Sequence, residues 1–542
     1  MHVLVAAAWP YASGPRHLGH LAGAFLPADV IARASRLLGH DVLFVSGSDE
    51  HGTPITIAAE RAGTGVREFA AGQHAAIERS LRDAGISFDH YGRTSSAVHR
   101  RVVHDLFRQL HTAGSIVEGE QRGAWCGNER RALPDRYVEG RCPHCDAPDA
   151  RGDQCDACGA LLDADELRDP RCRLCAGAAT LRPQRQLFLR LDALQPAIED
   201  WLPGSSRGWR RWVAEEAAGA LRGGLRPRAI TRELEWGIDV PLDGWHDRVL
   251  YVWFEAVVGY LSSSVEWAES TGDRDAWRAW WEDAESVHRY AIGKDNVWFH
   301  ALWWPAILAG AGGLHLPDDV VGSHNLTERG QQLSVSRDHG TSIADGIDRL
   351  GVDALRHALV AVAPETSDVD FTWEAADDAT RAGLLGAIAN PAHRVTTQLA
   401  RRFEGRIDAT VWAGALGVAE RRDAAAAADA AVRAFSTGSL RAGLRAVHDI
   451  GRRVNRTLAA REPWAQPEAE AHETLTLVAP WLDALAVASS PVVPGVGARL
   501  RAALGRPPLE GLRTARLPSD PPLVPADPPT PLPSGSRTQR WR

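Results

Sequence analysis

The chain has 542 residues, 44% hydrophobic and 24% charged, with a net charge of −8. That length exceeds one core and fits about three or four domains, and the balance excludes both a disordered chain and a globally basic nucleic-acid binder. No apolar run reaches the roughly 18 residues of a membrane span, and no basic region precedes the short N-terminal apolar stretch, so neither a membrane anchor nor a signal peptide is expected.

The apolar run Val3–Ala8 reads as a short buried strand, broken by Pro10, Gly14 and Pro15 into a tight turn. Leu21–Leu26 and Ile31–Ala34 then read as a helix, which places His17 and His20 at its start. Backbone N–H groups and the helix dipole favour anions there, and two imidazoles three residues apart share one side of the first turn. The motif lacks the glycines of a dinucleotide fold and the Gly-Lys-Ser/Thr of a P-loop. Taken alone, it equally describes two ordinary helix-start histidines.

A second strand, Val42–Val45, leads into Gly47-Ser48-Asp49-Glu50-His51-Gly52-Thr53-Pro54, and a helix follows over Val66–Leu81. Residues 1–115 thus read as the first half of a doubly wound, Rossmann-like α/β domain, whose ligands sit at the carboxyl ends of strands. Asp49 at such an end suits an ammonium group, although a lone aspartate there is as readily a cap.

Residues 116–230 read as an inserted module. It holds all seven cysteines, the pattern of metal ligands in a reducing cytoplasm rather than of disulfides. Cys142-x2-Cys145 and Cys155-x2-Cys158 supply the tetrahedral sulfur set that zinc prefers, with every position filled by protein, so the site is structural. Cys126, Cys172 and Cys175 offer three further thiols, with Glu129 as a candidate fourth ligand, and leave a second zinc open.

Residues 231–325 return to α/β patterning as the second half of the interrupted domain, with strand-like runs Val249–Phe254 and Val287–Gly293. Tyr251 to Tyr260 could wall an apolar pocket or simply fill a core. Lys294 and Asp295 follow a strand and precede a helix carrying His300, where a carboxylate suits a ribose. Residues 326–379 contain the polar loop Gly330–Arg337, whose Ser and Arg donors suit phosphate. Residues 380–505, rich in Ala and Leu at helical spacing, read as a helix bundle, and 506–542 as a Pro-rich tail without regular structure.

Each piece is weak, but their order is not. Together they resemble class I aminoacyl-tRNA synthetases, and the methionyl-tRNA synthetases among them, over residues 3 to about 500. His17-Leu18-Gly19-His20 stands as the first class motif, and Pro10-Tyr11-Ala12, Asp49–Pro54 and Tyr251–Phe254 as marks of the methionyl branch. Two knuckle pairs with Leu133–Gly140 resemble the archaeal-type subgroup. The resemblance implies an α/β catalytic domain with a zinc-knuckle insert and an all-α anticodon-binding domain. It implies ATP as substrate with Mg2+, structural Zn2+, methionine or a methionine-like amino acid, a tRNA partner, a monomer, and a cytoplasmic location.

Residue by residue, the resemblance assigns His17, Gly19, His20, Lys294, Asp295, Gln332, Ser334, Ser336 and Arg337 to ATP. It assigns Ala8, Trp9, Tyr11, Asp49, Trp253, Ala256, Val257, Tyr260 and His300 to the amino acid. Asn390, Arg394 and Trp464 match the family's anticodon readers, with Arg401, Arg402, Arg452, Arg453 and Arg456 as local positive charge.

The chain also departs from the pattern. The second class motif, usually Lys-x-Ser-Lys-Ser, reads Gln332-Leu333-Ser334-Val335-Ser336, so both lysines are missing. One lost phosphate contact costs about 3 kcal/mol, roughly a hundredfold in rate. Asp338 adds negative charge where the family has glycine. Trp9 replaces a leucine beside the substrate side chain, and Val257 a proline, which should shrink or reshape the pocket. The leading expectation is a methionine–tRNA ligase. A paralogue is the alternative, activating a methionine-like amino acid for a biosynthetic acceptor or serving as an inhibitor-tolerant copy. A tRNA-binding protein without catalysis is the third.

Overall fold

The structure, a computed structural model, describes residues 1–155, 157–333, 339–507 and 509. Ser334, Val335, Ser336, Arg337, Asp338 and nearly all of the Pro-rich tail therefore lie outside the described residues.

Five parallel strands form the central sheet: β1 (His2–Ala7), β2 (Asp41–Ser48), β3 (His90–Arg93), β6 (Val287–Gly293) and β7 (Asp319–Ser323), in the order β7-β6-β1-β2-β3. The two missing numbers, β4 (Ile116–Cys126) and β5 (Ala179–Leu189), are long antiparallel partners that carry the insert between β3 and β6. β1 is apolar on both faces because both are covered. Val3, Val5 and Ala7 pack with the following helix and the bundle, while Leu4 and Ala6 pack with Phe254, Tyr260 and Trp303.

The helix after β1 begins earlier and ends later than its apolar spacing predicts. A turn at Leu18–His20 runs into a widened π-helical turn, Leu21–Phe25, and then into α1 (Leu26–Leu37). A second π turn, Phe299–Trp303, carries His300. Such bulges re-aim side chains and are frequent at functional sites.

Val249–Phe254 departs from its strand-like reading. Only Val249–Leu250 is strand, and α3 (Val252–Glu255) starts directly after Tyr251, followed by α4 (Gly259–Thr271). That bend brings Glu255 inward as well as Trp253. The helix after β3 is α2 (Ala97–Thr112).

The knuckle region has its own small core of Leu133, Tyr137, Val138, Leu162 and Leu167 among the cysteines. A three-stranded sheet, Leu326–Glu328, Gln331–Gln332 and Val369–Phe371, follows β7.

The bundle includes α6 (Asn390–Phe403), α7 (Ala415–Ser436), α8 (Leu440–Arg461) and α9 (Glu468–Ser489), with α7 packed on α1. A helix before it, α5 (Val352–Ala361), supplies Arg356, whose fully buried guanidinium sits 2.6 Å from Asp29 of α1 and donates to the carbonyls of Pro491 and Val492. One buried ion pair therefore joins sheet-side helix, connector and bundle.

Candidate active site

The first class motif lies at the carboxyl end of β1, where the chain turns into the Leu18–His20 helix start. The rings of His17 and His20 stack obliquely with centroids 3.9 Å apart. Both nitrogens of His20 face donors, the Arg16 guanidinium at 3.3 Å and the His17 backbone N–H at 3.4 Å. A neutral ring can accept from only one of them. Burial, and then the Arg16 charge, push the His17 imidazole down to about 4 and hold that of His20 well below its usual range. At neutral pH both are thus uncharged hydrogen-bond partners, and the fixed charge beside them is Arg16, itself 4% exposed and anchored on the Gly14 carbonyl.

The second motif comes to the same place. A Cβ on Gly19 would stand 3.0 Å from both His17 Nδ1 and Leu333 Cδ1, so glycine is what lets the two segments touch. On the far side of the undescribed residues, the Leu18 N–H donates to the Thr341 carbonyl at 3.0 Å and His17 bridges Ser342. Gln332 is exposed at the end of its short strand. Lys294 and Asp295 form a single turn after β6, with the Lys294 ammonium bound to both Asp368 oxygens at 2.9 and 3.0 Å.

The amino-acid side is far more densely wired. The turn after β1 and the loop after β2 are stitched together by Asp49 N–H to the Pro10 carbonyl and Ala12 N–H to the Asp49 carbonyl, at 2.9 and 2.7 Å. Asp49 is buried, and burial followed by the nearby charge of Glu255 holds its carboxyl well above the ordinary carboxylate range. The Trp253 indole N–H donates to the Tyr11 hydroxyl at 2.5 Å, and Phe299 packs edge-on against Trp253. His300 donates from Nδ1 to the Asn296 carbonyl at 2.9 Å, so its Nε2 accepts from the Tyr260 hydroxyl at 2.7 Å. Burial pushes this imidazole down to about 4, which keeps that arrangement neutral. Ala8, Trp9, Tyr11, Trp253 and Ala256 are partly exposed around this network, and Val257 and Tyr260 lie beneath.

Trp9 is accommodated by glycine. A Cβ would come within 2.5 Å of its benzo edge at Gly47, 2.6 Å at Gly259 and 3.3 Å at Gly92. These residues come from β2, α4 and β3, so three elements form one slot for the indole. The ring meets Tyr260 edge-on at 6.3 Å and lies 6.2 Å from His99.

In the insert, Cys142, Cys145, Cys155 and Cys158 bring their sulfurs within 4.8 Å of one another, with Cys142–Cys158 at 3.8 Å and Cys145–Cys155 at 3.6 Å. A tetrahedron with Zn–S bonds of about 2.3 Å has edges of about 3.8 Å, so the four residues fit zinc. Cys126, Cys172 and Cys175 form a second group within 4.8 Å, but the Glu129 carboxylate is not among the atoms gathered there. Glu129 donates its backbone N–H to the Cys126 sulfur at 3.4 Å.

On the bundle, Asn390 and Arg394 share one exposed face of α6, and Arg394 stacks over Trp464, which is 46% exposed, at 5.1 Å. Arg402 donates to the Pro463 and Gln466 carbonyls and so fixes the Trp464 loop. Arg452 and Arg453 are engaged by Asp449 and Glu420.

The structure thus gathers His17, Gly19, His20 and the flanks of the second motif in one cluster, and Tyr11, Asp49, Trp253, Tyr260 and His300 in its neighbour. Sequence reasoning passed over Arg16, His99 and Glu255. Arg16 adjoins a known motif and could have been found as a cation one residue before it. His99 and Glu255 meet only through packing.

A parallel sheet with His-x-Gly-His at the carboxyl end of its first strand defines a class I tRNA synthetase, and the family model described as tRNA synthetases class I (M) matches residues 3–396. Methionine–tRNA ligase of Thermomicrobium roseum is 41% identical over 511 residues, 92% of this chain and 86% of that one. The Roseiflexus castenholzii enzyme of the same name is 42% identical over 517 residues, covering 93% and 87%. Mycobacterium tuberculosis methionyl-tRNA synthetase in complex with methionyl-adenylate shares the fold, with a TM-score of 0.77 at 23% identity and 98% of each chain covered. The chain belongs to the methionine–tRNA ligase family of class I synthetases.

Proposed function

We propose that this protein activates methionine with ATP and transfers the methionyl group to tRNA. The observation that carries this reading is the adjacency of the two clusters: an anion-accepting helix start with two imidazoles, and a buried carboxylate with an aromatic pocket. The methionine carboxylate attacks the α-phosphorus of ATP and pyrophosphate leaves with the electron pair of the broken P–O bond. His17 and His20 stabilise the phosphate electrostatically as its charge grows, and Arg16 supplies a fixed positive field behind them. Asp49 holds the ammonium group, and Asp295 takes the ribose hydroxyls. The charge of the outer phosphates would be neutralised by Mg2+ carried in with ATP.

The transfer step is supported by Asn390, Arg394 and Trp464 on one face, where an unstacked base can stack on the indole and be read by the polar pair. A cavity of about 980 Å³ at the carboxyl end of β3, beside the Asp49 loop, mixes Arg67, Arg100 and Arg101 with Glu235, Asp239 and Asp247, and Arg100 is paired with Asp239. The Cys142–Cys158 set holds zinc and stabilises an insert whose own core is small. Two sulfur clusters are the ground for placing the chain in the archaeal-type subgroup. A reducing, cytoplasmic location fits the free thiols, and no described helix is long and apolar enough to cross a membrane.

ATP–pyrophosphate exchange across a panel of amino acids tests this reading. Exchange is expected with methionine, followed by charging of tRNA. Exchange with another amino acid alone, or with none, contradicts it.

A further inference from the structure

Behind Asp49 lies a buried set of groups with no assigned part in the reaction. Glu255, fully buried on α3, accepts from His51 Nδ1 at 2.9 Å through one oxygen and lies 2.7 Å from His99 Nε2 through the other. His51 is 204 residues away in sequence and His99 is 156. The other nitrogen of His99 is 2.7 Å from the Ser262 hydroxyl, which also lies 3.1 Å from the Gly259 carbonyl, so His99 bridges Glu255 of α3 to Ser262 of α4. His51 connects this pair to the substrate side, because its backbone N–H donates to Asp49 Oδ1 at 3.3 Å while its ring is held by Glu255.

We propose that Glu255 is a positioning residue for the amino acid: through His51 it fixes the Asp49 carboxylate that receives the ammonium group, and His99 holds its other oxygen. The proposal deepens the methionine-activating reading and rests on it. Two carboxylates close together, one already balanced and one not, form a site completed by a single incoming cation. The charged and titratable groups facing Asp49 are Glu50 and His51 from its own loop, Tyr11 from the turn after β1, and Glu255 from α3. Glu50 is already paired with Arg93 and Ser95, which leaves Glu255 as the facing charge that acts on Asp49 through a shared partner. Burial pushes the Glu255 carboxyl up, but His51 and His99 outweigh it and hold it below its usual range. Asp49, by contrast, is held above.

The sign follows. Ammonium binding needs ionised Asp49, so KM for methionine should rise as pH falls through its titration, giving a break in the KM–pH profile. Replacing Glu255 with Gln removes a neighbouring negative charge and should move that break down by about one pH unit. The loosened His51 should also raise the high-pH KM about tenfold, with kcat changed less than about threefold. His99→Gln keeps a donor to Glu255 but removes the imidazole whose interaction holds the Glu255 carboxyl down, so the break should move up. Glu255→Asp keeps the charge and should leave the break near its wild-type position.

The experiment is methionine-dependent ATP–pyrophosphate exchange from about pH 5.5 to 9 on the full chain and these three variants. Opposite displacements of the break in Glu255→Gln and His99→Gln are expected. A KM raised by one factor at every pH with the break unmoved, or an unchanged KM, overturns the proposal. If Glu255→Gln does not fold, an unmoved break in His99→Gln overturns it equally. Wild-type protein without any methionine-dependent exchange would instead contradict the methionine reading itself.

Discussion

The two halves of the active site are built in opposite ways. The amino-acid half is a closed network, in which Asp49, His51, Glu255, His99, Tyr260, His300, Trp253 and Tyr11 are almost all bonded to one another or to backbone. Among the described residues the phosphate half is sparser: two neutral imidazoles stand beside a buried arginine held by the Gly14 carbonyl and His20, and Gln332 stands exposed where a lysine is usual. Preorganised groups need no rearrangement when substrate arrives, and fewer fixed charges give weaker stabilisation of the outer phosphates. The methionine side should therefore bind well by itself, and the nucleotide side should limit the rate.

The largest effect expected is at the network's centre. Asp49→Asn should lower kcat/KM for methionine by about 3 kcal/mol or more, roughly a hundredfold to a thousandfold, because the ammonium loses its buried partner. Steady-state exchange at saturating ATP measures this, and a loss below tenfold would place the ammonium elsewhere. On the sparse side, His20→Ala should lower the exchange kcat by about a hundredfold with KM for methionine nearly unchanged. An equal rise in that KM would merge the two halves. Trp464→Ala leaves both halves intact and should lower tRNA charging by about 1–3 kcal/mol while exchange is unchanged. Parallel losses in both assays would mean that the residue acts on the fold. The smallest expected effect is on the pH profile of kcat. His17 titrates only as pH falls to about 4, and His20 lies lower than its usual range, so neither should produce a break between pH 6 and 9. A break in that range that disappears in His17→Ala or His20→Ala would show a charged imidazole in catalysis.

The same contrast explains what the sequence could reveal. His17, Gly19 and His20 were legible because their chemistry is local: strand, turn and helix start occupy adjacent residues. Cys142, Cys145, Cys155 and Cys158 were legible because tetrahedral ligation fixes close spacing. Glu255 was not, because it lies in an apolar run that reads as strand, and its partners arrive from the loop after β2 and from α2. Trp9 stood out as too large, yet its slot depends on glycines of three separate elements whose approach no local pattern encodes. Glu129 had the right spacing to Cys126, but the chain turns its backbone rather than its carboxylate toward the sulfur.

The account rests most on the claim that the nucleotide half is the weak one. Its most direct test is to measure KM for methionine, KM for ATP and kcat of exchange side by side in the wild type and in Gln332→Lys. The added lysine should lower KM for ATP or raise kcat, by about tenfold together, and leave KM for methionine unchanged. An unchanged ATP dependence, or a change confined to methionine, would contradict it.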